Sequence, residues 1–479
     1  MQTAPSRPGD IRLHTLFNAY TATFILILAL SGGCGDPVDR DIADLIAGGD
    51  GAEEARIALN LAKGTAVDPL IKAIRDEEHP VRARVLLVEA LYRLRLREKI
   101  PAAYEGLVEG LADPTPEVRA ACARALGNLG AREAIDDLLL TMERETDPGT
   151  QLEILKTFEM INLETTSANE AMDPGKVMDQ DQTTRFIRAL QAIDTAVDTL
   201  ASAQQEWLEN IAETMAVEAR QRLLTGDLDG AEQGLRDALV LVPKSRNINL
   251  KLGKFYHQNG QSEKGFEFAA RAGLTAYAAP LATAPTIDGE LDDPGWDGVE
   301  PLTRLYQLLE RMYPYPAQGR SEIYLGYRDQ TLYIGVKGYE PRTDNLRAEK
   351  TQRDDNVWQD DCVEIYLDTN HDARTYYQLD VNSLGALDDI SYSIEENRLS
   401  GGFDWNADIE TGALVAKTFW SMELAVPIAE FNGSRVEPGT VWGFNVAQVR
   451  IANNSESAQW APTYGWSQQP DRFGFLVFK

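Results

Sequence analysis

The apolar residues of this chain change period near residue 280, and one layer of secondary structure cannot serve both periods. Upstream they recur every three or four positions, the stripe of an amphipathic helix; downstream they alternate every second residue, the habit of a strand buried on one face. Val363, Ile365 and Leu367 alternate with Cys362, Glu364, Tyr366 and Asp368. Leu332, Ile334 and Val336 alternate with Tyr333 and Lys337, and Trp420-Met422-Leu424-Val426, Trp442-Phe444-Val446 and Phe473-Phe475-Val477 repeat the pattern. Many short half-buried strands with turn residues between them predict an antiparallel β-sandwich after a helical region. The Ala/Pro run Tyr277–Pro285 between the two reads as an exposed linker.

The helical region itself repeats. Leu70-Ile-Lys-Ala-Ile-Arg with His79-Pro-Val-Arg82 returns as Leu107-Val-Glu-Gly-Leu-Ala with Thr115-Pro-Glu-Val-Arg119, so Val81 and Val118 lie 37 positions apart. Pro80 and Pro116 stand where a second helix starts and a missing N–H costs nothing. Residues 40–161 therefore resemble HEAT repeats, with Cys122 on a buried small-residue face. Residues 162–184 lack periodicity and read as a linker. Over 185–275 a second spacing of 34 relates Gly226 to Gly260, Ala231 to Gly265 and Ala238 to Ala272, and resembles the tetratricopeptide pattern. Both sets are expected to form one helical body that offers a surface to a protein partner.

The amino terminus carries a targeting signal. Arg7 and Arg12 precede the apolar run Ala22–Leu30, and Ser31-Gly-Gly-Cys34 follows. Small residues before a cysteine resemble a bacterial lipobox, which implies removal of residues 1–33, lipid attachment at Cys34 and a place in the cell envelope, facing the periplasm or the exterior. A net charge of −29 opposes nucleic-acid binding. Four scattered histidines offer no zinc spacing, and no GxSxG, HExxH, P-loop or GxGxxG motif marks a catalytic domain.

Seven of eight tryptophans fall after residue 284. The segment opens with Thr286-Ile-Asp-Gly-Glu-Leu-Asp-Asp-Pro-Gly-Trp296 and continues through Asp355-Asn-Val-Trp358-Gln-Asp-Asp-Cys-Val-Glu364-Ile-Tyr-Leu-Asp368 and Tyr377-Gln-Leu-Asp-Val-Asn382. Trp420-Ser-Met-Glu-Leu-Ala-Val-Pro427, Trp442-Gly-Phe-Asn-Val, Trp460-Ala-Pro462 and Phe473-Gly-Phe-Leu follow. In these motifs residues 284–479 resemble carbohydrate-binding module family 9 and its DOMON-like relatives. The resemblance implies that two tryptophans clamp a terminal sugar of an oligo- or polysaccharide of the xylan or glucan type, as an aid to its breakdown. Trp358 matches the first clamp position, Glu364 a sugar-contacting carboxylate and Gln378 a contacting amide. The second tryptophan is Trp460 or Trp466, with Trp460 preferred. The family's arginine shortly after Gln378 has no counterpart in Asn382-Ser-Leu-Gly-Ala.

Physical chemistry agrees with a sugar site: indoles pack on pyranose C–H faces, while carboxylates and amides meet hydroxyls. Trp296, Trp420 and Trp442 lie in apolar alternations and are expected in the core; Trp358, between Asn356 and Asp360-Asp361, is not. The acidic clusters Asp354-Asp355, Asp360-Asp361 and Asp368-Thr-Asn370-His-Asp372 are candidates for structural calcium, with solvated turns as the alternative. Two other readings stay open. One is a haem- or redox-binding domain using Met422 or His371; the other is an assembly scaffold without a sugar.

Overall fold

The computed structural model describes residues 36–98, 100–163, 177–308, 315–395, 398–452, 456–463 and 465–479. Cys34 and most of the 162–184 segment lie outside them. Among the described residues no helix is long and apolar enough to cross a membrane.

One compact unit contains the helices from Pro37 to Leu163 together with 177–189. Proline opens the helices Pro101–Glu109 and Pro116–Asn128, as the missing N–H allows. Val118, Cys122 and Leu126 bury one face of the second, and Ile154, Leu155 and Phe158 of Pro148–Leu163 are buried too. Two polar clips, one buried and one part-buried, recur beside these repeats. Arg84 donates to the carboxylate of Asp113, to Thr115 Oγ1 at 2.7 Å and to the Ile74 carbonyl. Arg119 makes a two-pronged pair with Glu145, both bonds 2.7 Å. Each acid stands three residues ahead of a helix-opening proline, so each arginine ties one repeat to the entry of the next.

The second unit runs from Leu190 through the carboxy terminus. Its helices Asp198–Leu224, Leu228–Leu241, Arg246–Gln258 and Ser262–Ala272 follow the 34-residue spacing. A Cβ on Gly253 would stand 2.9 Å from the Gly265 carbonyl, and one on Gly265 equally close to that of Gly253. The two backbones touch where only glycine fits. Contrary to the expectation of a single helical body, these helices belong with the sandwich. Lys254 Nζ donates to the Pro470 carbonyl at 2.8 Å and Gln258 Nε2 to the His371 carbonyl at 2.9 Å.

The strands are β1 (Thr275–Pro280), β2 (Tyr306–Gln307), β3 (Ser321–Arg328), β4 (Thr331–Tyr339), β5 (Cys362–Asp368), β6 (Thr375–Asn382), β7 (Leu387–Glu395), β8 (Arg398–Gly402), β9 (Glu410–Val415), β10 (Phe419–Pro427), β11 (Val441–Arg450), β12 (Glu456–Gln459) and β13 (Gly474–Phe478). They hydrogen-bond in the order β8-β7-β6-β5-β11-β13-β1-β3-β4-β10-β9. The first four residues of the expected linker, 277–280, thus belong to a strand. Residues 275–278 of β1 pair in parallel with β13, and Ala279 and Pro280 pass to β3, so β1 joins the two sheets at a corner. Ala276 and Ala278 point inward and are fully buried, and Pro280 comes last, where its missing donor breaks no ladder. The sandwich is antiparallel everywhere except at this strand. Val363, Ile365, Leu379, Val381, Val336, Met422, Trp420 and Trp442 share one core, and Trp296 is buried as well.

Candidate functional site

The strands that send Val363, Ile365, Leu379 and Val381 into the core turn the alternate residues the other way. Register then sets their neighbours. Glu364 on β5 stands directly opposite Asp380 on β6, and Asp380 opposite Asp388 on β7. Three carboxylates cross the sheet in a row. Beside it, Asn445, Tyr366 and Gln378 form a second row, and Tyr366, Tyr376 and Phe473 pack into a small aromatic cluster of their own.

The row is hydrogen-bonded almost wholly by neutral groups. Tyr366 Oη donates to Glu364 Oε2 at 2.7 Å, and Ser467 bonds the same carboxylate. Gln378 Nε2 donates to both oxygens of Asp380 at 2.9 Å, while Gln468 Nε2 reaches Gln378 Oε1 at 3.4 Å. Burial is the main cause that raises Glu364 above the usual carboxylate range. Burial, then the charge of Glu364, raises Asp380 much further, and burial lifts Asp388 to about 6.

Both ends of the row hold an exposed indole. Asp388 Oδ2 accepts from Val357 N at 2.6 Å, which pins the short turn Val357–Gln359 and leaves Trp358 48% exposed on it. Ser467, bonded to Glu364, directly follows Trp466, which is 64% exposed. Thr463 Oγ1 holds the Trp466 carbonyl at 2.7 Å.

The four sugar-site expectations therefore separate. Trp358 is exposed at one end of the row, and Glu364, half-buried, is the row's member at the other end. Gln378 is only 2% exposed and spends its amide donors on Asp380, so it braces that carboxylate. Trp460 is corrected: it is 4% exposed, its ring packs on Phe444 with centroids 5.5 Å apart, and Gly474 leaves room for its edge. Ala458 and Ala461, both fully buried, put it in an apolar stretch, whereas Gly465 and Ser467-Gln468-Gln469 surround Trp466 with turn and polar residues. No motif in the sequence marks Asp380. Alternation puts it on the face of Gln378, but only the strand register sets it against Glu364.

Of the acidic clusters read as calcium ligands or solvated turns, Asp355 and Asp372 are exposed on turns, while the buried Asp360, Asp361 and Asp368 brace loops. Asp361 is buried and accepts from Arg347 N at 2.5 Å, Ile451 N at 2.6 Å and Ala452 N at 3.2 Å. Asp360, buried too, takes Glu349 N, Lys350 N and Asn382 Nδ2 at 2.8–2.9 Å. Asp368 receives Asp372 N and Ala373 N, and Asp372 receives Arg374 N and Thr375 N. Among the described residues, metal-compatible spacing occurs elsewhere, at Asp288, Asp293 and Glu423. Those oxygens already accept from Glu290 N, Thr286 N, Gly289 N and Trp296 Nε1. Of the two candidates for a haem ligand, Met422 is buried on β10 opposite Val336. His371 packs edge-on against Phe475 with centroids 4.7 Å apart.

Residues 287–479 match the family described as carbohydrate family 9 binding domain-like, and residues 104–170 match HEAT repeats. Over residues 287–479 the carboxy-terminal β-sandwich is thus similar to that family. Endo-1,4-β-xylanase A of Thermoanaerobacterium saccharolyticum is 25% identical over 186 residues, 38% of this chain and 14% of the enzyme. Endo-1,4-β-xylanase A of Thermotoga neapolitana is 25% identical over 211 residues, 43% of this chain and 18% of that enzyme. The chain thus spans less than a fifth of either relative's length. A solved carbohydrate binding module family 9 from Caldicellulosiruptor kristjanssonii, in complex with cellotriose, is 22% identical, with 43% of this chain and 93% of that one covered and a TM-score of 0.31.

Proposed function

We propose that the family 9-type domain binds a saccharide end against Trp358 and Trp466, with the half-buried Glu364 as a carboxylate contact at the Trp466 end. The observation that carries this reading is the pair of exposed indoles, each next in sequence to a residue that hydrogen-bonds one end of the same carboxylate row. Indole faces supply the apolar half of sugar recognition, and the half-buried Glu364 supplies a polar contact. The similarity to xylanase segments supports a plant-type β-glycan as the polymer and a role in its breakdown. The test is calorimetric titration with cello- and xylo-oligosaccharides. Trp358→Ala and Trp466→Ala should each cost about 2 kcal/mol, roughly thirtyfold in Kd, while Trp460→Phe leaves affinity within about threefold. Unchanged affinity in both alanine variants would refute the reading.

The chain is further read as an envelope lipoprotein acylated at Cys34, on the strength of the positive, apolar and small-residue order of its first 34 residues. Expressed in a bacterium, the wild type should fractionate with membranes and Cys34→Ser should not. Identical fractionation would remove the anchor. On this reading the helical repeats present a docking surface for a protein partner.

A further inference from the structure

We propose that the carboxy-terminal unit holds a second site, a cavity that takes a small organic anion: a body about the size of one aromatic ring, with a carboxylate set against Lys254. It goes beyond the sugar-binding reading, since Trp358, Trp466 and Glu364 do not line this cavity.

The cavity has a volume of about 230 Å³ and lies where the helices Asp198–Leu224, Leu228–Leu241 and Arg246–Gln258 meet the turn before β6 and Asp471. Ala216, Ala219 and Ala231 keep the helix faces short there, and Leu223, Leu235 and Phe255 complete an apolar wall. An apolar cavity of roughly 150 Å³ holds benzene, so this one has room for a ring and a short arm. A bound peptide needs a groove several residues long, whereas this volume takes a single group.

The polar side of the cavity is cationic, in a chain whose net charge is −29. Arg220, Lys251, Lys254 and Arg374 line it against Asp372 and Asp471, four positive groups against two negative ones. Lys251 is committed to Glu213 at 2.7 Å. Lys254 is not committed in this way. It is only 7% exposed, and its Nζ donates one hydrogen bond, to the Pro470 carbonyl at 2.8 Å. Among the described residues it forms no ion pair, so two donors and a desolvated charge remain for a ligand. Arg220 and Arg374, both exposed, likewise form no ion pair among the described residues.

The titration of the neighbours agrees with this geometry. Burial brings Lys254 down to about 8, against the pull of Asp368 and Asp471, as befits a cation short of a counter-ion. Burial works to raise Asp471, yet the charges of Lys251, Arg472, Lys254 and Arg220 hold it below the usual carboxylate range. The field at this wall favours anions. A carboxylate brings acceptors and a negative charge, and an apolar body behind it covers the alanine and leucine wall. An inorganic anion would leave that wall uncovered, and a neutral hydrocarbon would leave the ammonium uncompensated.

The test is calorimetric titration of the full chain near neutral pH with trans-cinnamate, cinnamamide and acetate. Cinnamate should bind about tenfold more tightly than cinnamamide, which lacks the charge, and than acetate, which lacks the ring. Lys254→Met keeps the length of the side chain and removes its charge, and should reduce the preference for cinnamate over cinnamamide to about threefold or less. Arg374→Gln, at an exposed position, should weaken cinnamate alone by about threefold and carries the test should Lys254→Met fail to fold. Lys417→Gln, which removes an exposed cation elsewhere, should leave the preference intact. Equal affinity for cinnamate and cinnamamide, or no saturable binding of cinnamate, overturns the inference. A preference that persists in Lys254→Met, or in Arg374→Gln should the first not fold, also overturns it, as does an equal fall in Lys417→Gln. Cello-oligosaccharide affinity should be the same in Arg374→Gln and the wild type, so the sugar-binding reading stands or falls by its own titration.

Discussion

The two faces of the sheet formed by β5, β6 and β7 are made by the same strands and obey opposite rules. The inner face is hydrocarbon, with Val363, Ile365, Leu379 and Val381 in one core. The outer face sets Glu364 against Asp380 and Asp380 against Asp388. Inward residues gain from burial wherever they fall in the row, because the hydrophobic effect is non-directional. Outward residues depend on which neighbour register gives them. A one-residue slip would exchange the faces, so the inner face fixes the register that brings the acids together. Site geometry here is a by-product of core packing.

That contrast can be broken first where its effect is largest. Trp420→Ala, in the core, should cost about 3–5 kcal/mol through the cavity it leaves, whereas Trp358→Ala should change stability by no more than about 0.5 kcal/mol. Denaturant melts of the two variants check this. Equal losses would mean that Trp358 belongs to the core.

Periodicity made the inner face legible: the alternations around 332–336, 363–367 and 420–426 all lie in strands with their apolar members buried. Four things were not legible. The strand Thr275–Pro280 is short and its inward residues are alanines, whose weak hydropathy signal is lost beside prolines. The choice between Trp460 and Trp466 turned on flanking residues, alanines against glycine and glutamines, more than on motif position. Asp360 and Asp361 carry the charge of a metal ligand yet serve loops whose backbone N–H groups need acceptors, a demand that appears only once the loops are folded. The Glu364–Asp380 pair belongs with these, since alternation gives the face of each and says nothing about the strand alongside.

A smaller effect sharpens the comparison from the outer side. Burial raises the folded-state pKa of Asp388 from 3.8 to about 6, and Glu364 and Asp380 shift in the same direction. The folded chain therefore holds protons that the unfolded chain has released. These groups favour folding at low pH and weaken it as pH rises from about 4 through about 6 and beyond. Asp380→Asn should thus stabilise the unliganded protein near neutral pH by about 0.5–1 kcal/mol, and the gain should shrink as pH falls toward about 4. Melts across that range check the sign. A variant less stable at neutral pH would mean that the bonds from Gln378 outweigh the repulsion.

The most direct test of the outer face as the ligand site is hydrogen–deuterium exchange with and without a cello- or xylo-oligosaccharide at saturating concentration. Exchange should slow at Val357–Gln359 and at residues 465–469, the two segments tied to the row, and stay unchanged around Trp460 and on the helices of residues 37–163. Protection confined to any other part of the chain, with both segments unaffected at saturation, would contradict the account.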